Sequence, residues 1–412
     1  MEQETIFKLN QNRTTNGRTR PKAIKLALVV HGRFHAFDLG RALIKQGVDV
    51  VLFTNYPKRI VKKFGIPPER VKPFLVHGIL SWASAKLFGS KFCEPTLHKM
   101  FGRWAARQLE KQKFDASHSF TGISEEILER HFGGMINSIM RGSVHIEVQA
   151  RLLEEEERRA GVRIDKPSQW MIQREKREYA AARFIIVLSS FARDSFLEQG
   201  VPARKLFLLP LGSELTRFRP PAEVIEERCA RILSGKPLRV LTVGTFSFQK
   251  GILDLVSMAE ALHGKMAFSF VGSIAKEARA LHRQVDGLIT FLPKMKQHDL
   301  PTVYKGADLF VFPTIQDGYA VVLSQAQASG LPILATTNCA APDLLQEAKT
   351  GWVLPIRSPS SFVDRLHWCD QHRAELAGMV RYTYHDFKPR DWNQVALDLV
   401  RMYEEWFESH PN

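Results

Sequence analysis

Short, nearly continuous apolar runs alternate with longer stretches of mixed polarity along this chain, and the alternation occurs twice. IKLALVV (24–30) reads as a strand buried on both faces. The polar turn HGRFH (31–35) follows, then a helical stretch to Gln46 and a second apolar run, VDVVLFT (48–54). Further strands are predicted at 114–118, 184–188 and 206–209, with helices at 121–131, 147–160 and 168–182 between them. The segment RFRPPAEV (217–224) carries adjacent prolines and marks a hinge. Beyond it come LRVLTVG (238–244), a helix over 250–263, and strands at 267–271, 288–292, 308–312 and 332–336. A last helix is predicted over 391–407. Strands separated by helices of this length imply parallel sheets with right-handed crossovers. The expected fold class is α/β, with two doubly wound, Rossmann-like domains facing a central cleft.

The bulk numbers agree with two domains. At 412 residues the chain exceeds the size at which single cores usually stop growing. The four cysteines (Cys93, Cys229, Cys339 and Cys369) form no CxxC pair and no disulfide framework, which points to a reducing cytoplasm. No run approaches the roughly 18 apolar residues of a membrane span. The first 22 residues are polar and basic, and read as a disordered tail.

Charge changes the picture in one region. The net charge is +15, and residues 58–113 hold thirteen Lys/Arg against three acids, Glu69, Glu94 and Glu110. Phe64, Ile79, Leu80, Trp82, Leu87, Phe88, Phe92, Phe101 and Trp104 are interleaved with these cations. Two readings stand: a solvated basic face over an ordinary core, or a surface for an anionic membrane or acceptor. Nucleic acid is not expected as a partner.

The chemistry concentrates in the second half. PTIQDGYAVVLSQAQASGLPILATT (313–337) reads as strand end, polar loop, helix and strand. The loop Asp317-Gly318-Tyr319-Ala320 lies at the carboxyl end of a strand, where open α/β sheets bind ligands. The free N–H groups of the helix that follows can receive an anion. Asp is also a favoured helix cap, a role compatible with ligand contact. VGTFSFQKG (243–251) makes a similar turn, with Lys250 near a helix start, so an ammonium and backbone donors together form a diphosphate cradle. No Asp-x-Asp, HExxH, GxSxG, P-loop or GxGxxG occurs, and no metal site or cofactor is expected.

The 313–337 stretch resembles the donor-sugar motif of family 4 glycosyltransferases, usually Glu-Gly-Phe-Gly with a second Glu eight residues after the first. Asp317 stands for the first Glu and Gln325 for the second. The resemblance covers nearly the whole chain after residue 24, and is strongest over 243–251 and 307–345. It implies the GT-B fold. An acceptor-side domain would span 23–214 and a nucleotide-sugar domain 215–387, with a C-terminal helix (388–412) packing back on the first. It also implies metal-independent transfer of a hexosyl group from a UDP- or GDP-sugar to a glycolipid or saccharide hydroxyl, with retained configuration.

By that resemblance Gly244, Thr245, Lys250, Asp317, Gly318, Tyr319, Ala320 and Gln325 bind donor, and His118, Lys250 and Asp317 are catalytic. Gly32 and Arg33 form the acceptor and phosphate loop. Thr245 replaces the family's arginine, so one cation is missing, and Arg33 is a replacement for it. A cytoplasmic protein, peripheral on the inner face of the membrane, is the matching location. Two other readings remain. One is a catalytically weakened sugar-nucleotide or membrane-surface binding protein, motivated by Thr245 and Gln325. The other is an isomerase or epimerase on the same fold.

Overall fold

A computed structural model describes residues 24–410 apart from 88, 90 and 131. The basic tail and Phe88 therefore lie outside the described residues. Two parallel sheets form. The first has seven strands: β1 (Lys25–Val30), β2 (Asp49–Thr54), β3 (Val71–Pro73), β4 (Ala116–Phe120), β5 (Ile136–Met140), β6 (Phe184–Val187) and β7 (Leu206–Leu208). Their spatial order is β3-β2-β1-β4-β5-β6-β7. The second has six: β8 (Leu238–Phe246), β9 (Met266–Ile274), β10 (Ile289–Leu292), β11 (Leu309–Phe312), β12 (Ile333–Thr336) and β13 (Gly351–Leu354), in the order β10-β9-β8-β11-β12-β13.

Strand order reverses between β1 and β4 in one sheet and between β8 and β11 in the other. At such a switch point the crossovers diverge to opposite faces and leave a crevice at the carboxyl ends of the strands. Both crevices open into the cleft between the domains, because one cavity is lined by residues following β1, β4, β8 and β11.

Several predicted elements shift. The 114–118 strand is observed at Ala116–Phe120. Asp115 ends the preceding turn instead, its carboxylate accepting the Lys25 N–H at 2.8 Å. The helix predicted over 121–131 shrinks to Glu125–Leu128, because Gly122 takes φ 85° and breaks the first turn. β3, β5 and β13 are additional. The α/β class with two doubly wound domains stands.

Eight helices matter here: α1 (Ala36–Lys45), α2 (Leu75–Leu87), α3 (Glu94–Leu109), α4 (Ile146–Ala160), α5 (Gln169–Ala181), α6 (Ile252–Ala261), α7 (Val321–Ala328) and α8 (Trp392–Ser409). α8 begins in a capping box between Asp391 and Gln394. It buries Trp392, Val395, Ala396, Leu399, Met402 and Tyr403 in the first domain's core, beside residues of β1, β2 and α1. Each large apolar side chain fully buried there contributes about 1.5–3 kcal/mol, which fastens the chain's end to the first domain. The two chain crossings between domains touch directly: Ser213 donates its N–H to Arg390 O at 3.0 Å. Gly212 packs so closely on Asp391 that a Cβ would fall 2.6 Å from its backbone, so only glycine fits.

Candidate active site

The second domain builds its half of the site from two strand ends. β8 carries Gly244 and Thr245 near its carboxyl end, paired with Gly272 and Ser273 of β9, and the Thr245 hydroxyl lies 3.2 Å from Ser273 Oγ. A single 3-10 turn, Phe248–Lys250, then leads to α6. Gly251 between them has φ 70°, and a Cβ there would lie 1.7 Å from Pro313 O. That approach sets Lys250 beside the end of β11. The Lys250 ammonium ion-pairs with Asp317 Oδ2 and lies 5.5 Å from the Phe312 ring centroid.

Asp317 divides its work. Oδ1 accepts the N–H groups of Tyr319 at 3.0 Å and Ala320 at 2.9 Å, capping the turn before α7. Oδ2 faces Lys250. Ala320 is left-handed at φ 66°, and α7 begins at Val321. The N–H groups of Val321 and Val322 have no partner among the described residues, and both residues line the cleft. Two amides and an ammonium therefore converge on one cavity of about 670 Å³, within the range of small-molecule sites. Lys294, in the loop after β10, adds a second ammonium with no partner among the described residues.

The first domain supplies the facing wall. Phe34 and His35 come from the turn after β1, Phe120 and Thr121 from the end of β4, and Arg141, Gly142 and Ser143 from the loop after β5. Phe34 stacks on Phe120 at 5.7 Å. Arg141 is held by Glu175 at 3.1 Å, Gln149 Oε1 at 2.6 Å and Val144 O at 3.2 Å. The two walls meet: Ser143 donates to Gln316 Oε1 and Ser189 to Gly318 O, both at 2.8 Å. A Cβ on Gly318 would lie 2.4 Å from Gly142 O, so glycine lets the domains close here.

Of the residues read from sequence, Gly244, Thr245, Lys250, Asp317, Tyr319 and Ala320 line the cleft. Gly318 packs at its edge against Gly142. The others are placed elsewhere. His118 lies mid-strand in β4, fully buried, with Nδ1 3.0 Å from Ser138 Oγ. Burial, with a smaller push from His35, drives its pKa down to about 3. The two-residue shift of β4 brings Phe120 and Thr121, not His118, to the strand end.

Gln325 turns into the second domain's interior, where Oε1 accepts the Tyr304 hydroxyl at 3.0 Å. α7 starts at Val321, so its second turn faces the core rather than the cleft. Gly32 gives its N–H to Asn55 Oδ1 at 2.9 Å. Arg33 points away, 4.1 Å over the Phe64 ring and 3.8 Å from Asp38. It does not replace the missing cation; Lys294 and Arg141 are the further positive groups at the cleft. His145 caps α4 through Nδ1, and burial lowers its pKa to about 4.

Residues 237–370 match the family model for glycosyl transferases group 1. Over that stretch the chain is similar to the group 1 glycosyltransferases. Among curated relatives of this family-4-like group, it is 23% identical over 223 residues to the putative colanic acid biosynthesis glycosyltransferase WcaL of Escherichia coli, covering 50% of this chain and 53% of that protein. It is 24% identical to D-inositol 3-phosphate glycosyltransferase of Paenarthrobacter aurescens, over 89% of this chain and 91% of the relative. The chain thus spans about half the length of the WcaL proteins it matches. Anabaena HepE in complex with UDP superposes with a TM-score of 0.66 at 12% identity, over 93% of this chain and all of that one. Sucrose-phosphate synthase of Thermosynechococcus elongatus gives 0.68 at 19%, over 93% and 99%. These neighbours establish the GT-B architecture.

Proposed function

We propose that the chain transfers a hexosyl group from a nucleoside diphosphate sugar to the hydroxyl of a glycolipid or polysaccharide precursor. The observation that carries it is the convergence of Lys250, the free Val321 and Val322 amides and Asp317 on one cavity at facing switch points. The diphosphate seats on the amides and takes Lys250 from Asp317. The freed carboxylate then accepts sugar hydroxyls. The site's task is electrostatic: preorganised donors stabilise the departing diphosphate. Contacts between residues 316–318 and the first domain exclude water that would otherwise hydrolyse the donor. Among the described residues Asp317 is the one carboxylate lining the cleft, and it is already committed to a cap. That arrangement favours attack from the leaving group's face, with retained configuration. HepE bound to UDP and to UDP-glucose supports the donor class.

The same reading includes a membrane-facing acceptor side. α2 is inverted: it buries His77 and Ser84. Outward it presents Val76 (61% exposed), Ile79 (66%), Trp82 (65%) and Leu87 (71%). Phe101, by contrast, is core. Lys86 lies 4.9 Å over the Trp82 ring, and the basic run 58–72 is adjacent in sequence. Apolar side chains among cations suit an anionic bilayer surface. We assign this face to the inner leaflet, reached by a cytoplasmic, peripheral protein. No helix among the described residues is long and apolar enough to cross a membrane. Co-sedimentation with anionic vesicles, lost in Ile79→Asp/Trp82→Asp, is the expected result. Equal binding to neutral and anionic vesicles contradicts it.

Incubation with UDP- and GDP-hexoses tests the activity: slow donor hydrolysis by wild type, abolished in Lys250→Ala, is expected. Tight nucleotide binding without turnover in either protein favours the weakened-binder reading, which the inward turn of Gln325 supports.

A further inference from the structure

A second, larger cavity of about 1700 Å³ lies on the hinge side of the interdomain space, lined by both chain crossings. Its charge is unbalanced. Five cations line it (Arg41, Lys45, Lys63, Arg217 and Arg219) against two carboxylates, Glu214 and Asp391. Both carboxylates are occupied, Glu214 by Arg41 at 2.7 Å and Asp391 by the cap of α8. Arg219 stacks on Tyr384 at 4.0 Å. Lys63 and Arg217 have neither ion pair nor hydrogen bond from their side chains among the described residues, and Lys45 makes neither contact but acts by charge on Asp391. They come from α1, the segment after β2 and the first crossing, three separate stretches of the chain that line one cavity. Phe64 and Trp392 add aromatic surface to the wall. Convergent cations beside aromatic faces suit a phosphate carried on a sugar-sized body, the phosphate held by charge and the ring by stacking.

Two physical links join this cavity to the donor cleft. Trp392 lines the hinge cavity and stacks on His35, which lines the donor cleft, with centroids 6.0 Å apart and planes 16° apart. The loop after β10 is shared: Lys294 and Met295 face the donor cleft, Gln297 and His298 the hinge cavity.

We propose that the hinge cavity is a second ligand site, for a small phosphorylated saccharide, whose occupancy fixes the separation of the domains and thereby tunes nucleotide binding at the donor cleft. A ligand held by Lys45 and Lys63 on one side and by the 297–298 loop on the other bridges both domains. It acts only through its different fit to the open and closed arrangements, and the coupling is reciprocal.

Isothermal titration of the full chain with glucose 6-phosphate tests this. Wild type binds, and Lys45→Ala/Lys63→Ala/Arg217→Ala, whose three positions are exposed, binds about tenfold more weakly or worse. Lys250→Ala leaves this affinity unchanged, while UDP or GDP affinity of wild type shifts when glucose 6-phosphate is present. Absence of binding to wild type, or equal binding by the triple variant, overturns the proposal. Loss of glucose 6-phosphate binding in Lys250→Ala places the ligand in the donor cleft and overturns it too. Inorganic phosphate binding as tightly as glucose 6-phosphate removes the saccharide from the ligand class. An unchanged nucleotide affinity removes the coupling. Because the readout is binding of a non-nucleotide, a failure here is separate from a failure of the transferase reading.

Discussion

Replacing Lys250 by alanine removes the one ammonium that the second domain places between β8 and β11. In the unliganded protein this lysine is paired with Asp317, and both side chains are about four-fifths buried. The pair itself adds little to stability, because partly exposed ion pairs contribute about 0–1 kcal/mol. The melting temperature of Lys250→Ala should therefore stay close to wild type. The effect on turnover is much larger. A unit charge about 3 Å from a phosphoryl oxygen, at an effective dielectric of about 20, interacts by roughly 5 kcal/mol before desolvation is subtracted. Loss of a single preorganised donor from an anion-stabilising site costs about 10²–10³ in rate. The substitution also leaves the Asp317 carboxylate unneutralised beside the incoming diphosphate, which adds repulsion of the same sign. A fall of about 10²–10³ in kcat/KM is thus expected, measured as nucleoside diphosphate release from the donor sugar. Lys250→Arg keeps the charge and should recover part of it. A Lys250→Ala protein that is folded and turns over at the wild-type rate would refute the reasoning, because the remaining amides would then suffice alone.

Asp317→Asn keeps an oxygen for the Tyr319 and Ala320 N–H groups but loses the charge. Its stability should stay within about 0.5 kcal/mol of wild type, whereas Asp317→Ala, losing the cap, should cost about 1 kcal/mol more in chemical denaturation. Gly318→Ala drives a Cβ to 2.4 Å from Gly142 O. It should separate the domains at the cleft and lower turnover strongly, while each domain retains its secondary structure by circular dichroism. The buried histidines set the acid limit. His118 is held down at about 3 and His35 at about 4, so an unfolded chain takes up protons from about pH 6.5 downward that the folded chain refuses. Stability is therefore complete above about pH 6.5 and is lost as pH falls toward the folded values, with His118 alone accounting for up to about 2 kcal/mol at pH 5. A melting temperature that does not fall between about pH 7 and 5 contradicts this.

The fold was legible where strands are apolar throughout. β1, β2, β8 and β11 are buried on both faces of parallel sheets, so their sequences form continuous hydrophobic runs. β4 (ASHSF) and β5 (INSIM) were misplaced or missed because serine, histidine and asparagine interrupt them. Their polar groups are satisfied by distant partners: Ser138 meets His118 across the strand pair and Tyr403, 265 residues away, on α8. No local pattern encodes such a partner.

The same distinction holds at the site. Lys250 and Asp317 follow from their positions at strand ends, a topological property the sequence carries. The directions of Arg33, His118 and Gln325 depend on one- or two-residue shifts and on which neighbour offers a partner: Phe64, Ser138 and Tyr304 respectively. Lys294 belongs to no motif and reaches the cleft only because β10 ends beside β9. His35 lay in a turn already singled out, but its place at the cleft needed β5 to bring Met140 against it. The outward face of α2 was visible as apolar residues among cations. That the helix is inverted became clear only when His77 was seen bonded to Leu97 O on α3.

The most direct measurement is the structure of the protein crystallised with a nucleoside diphosphate, UDP and GDP in parallel. The account predicts the diphosphate against the Val321 and Val322 amides, with Lys250 swung from Asp317 onto a phosphate oxygen. A diphosphate bound elsewhere while the Lys250–Asp317 pair stays intact would contradict it.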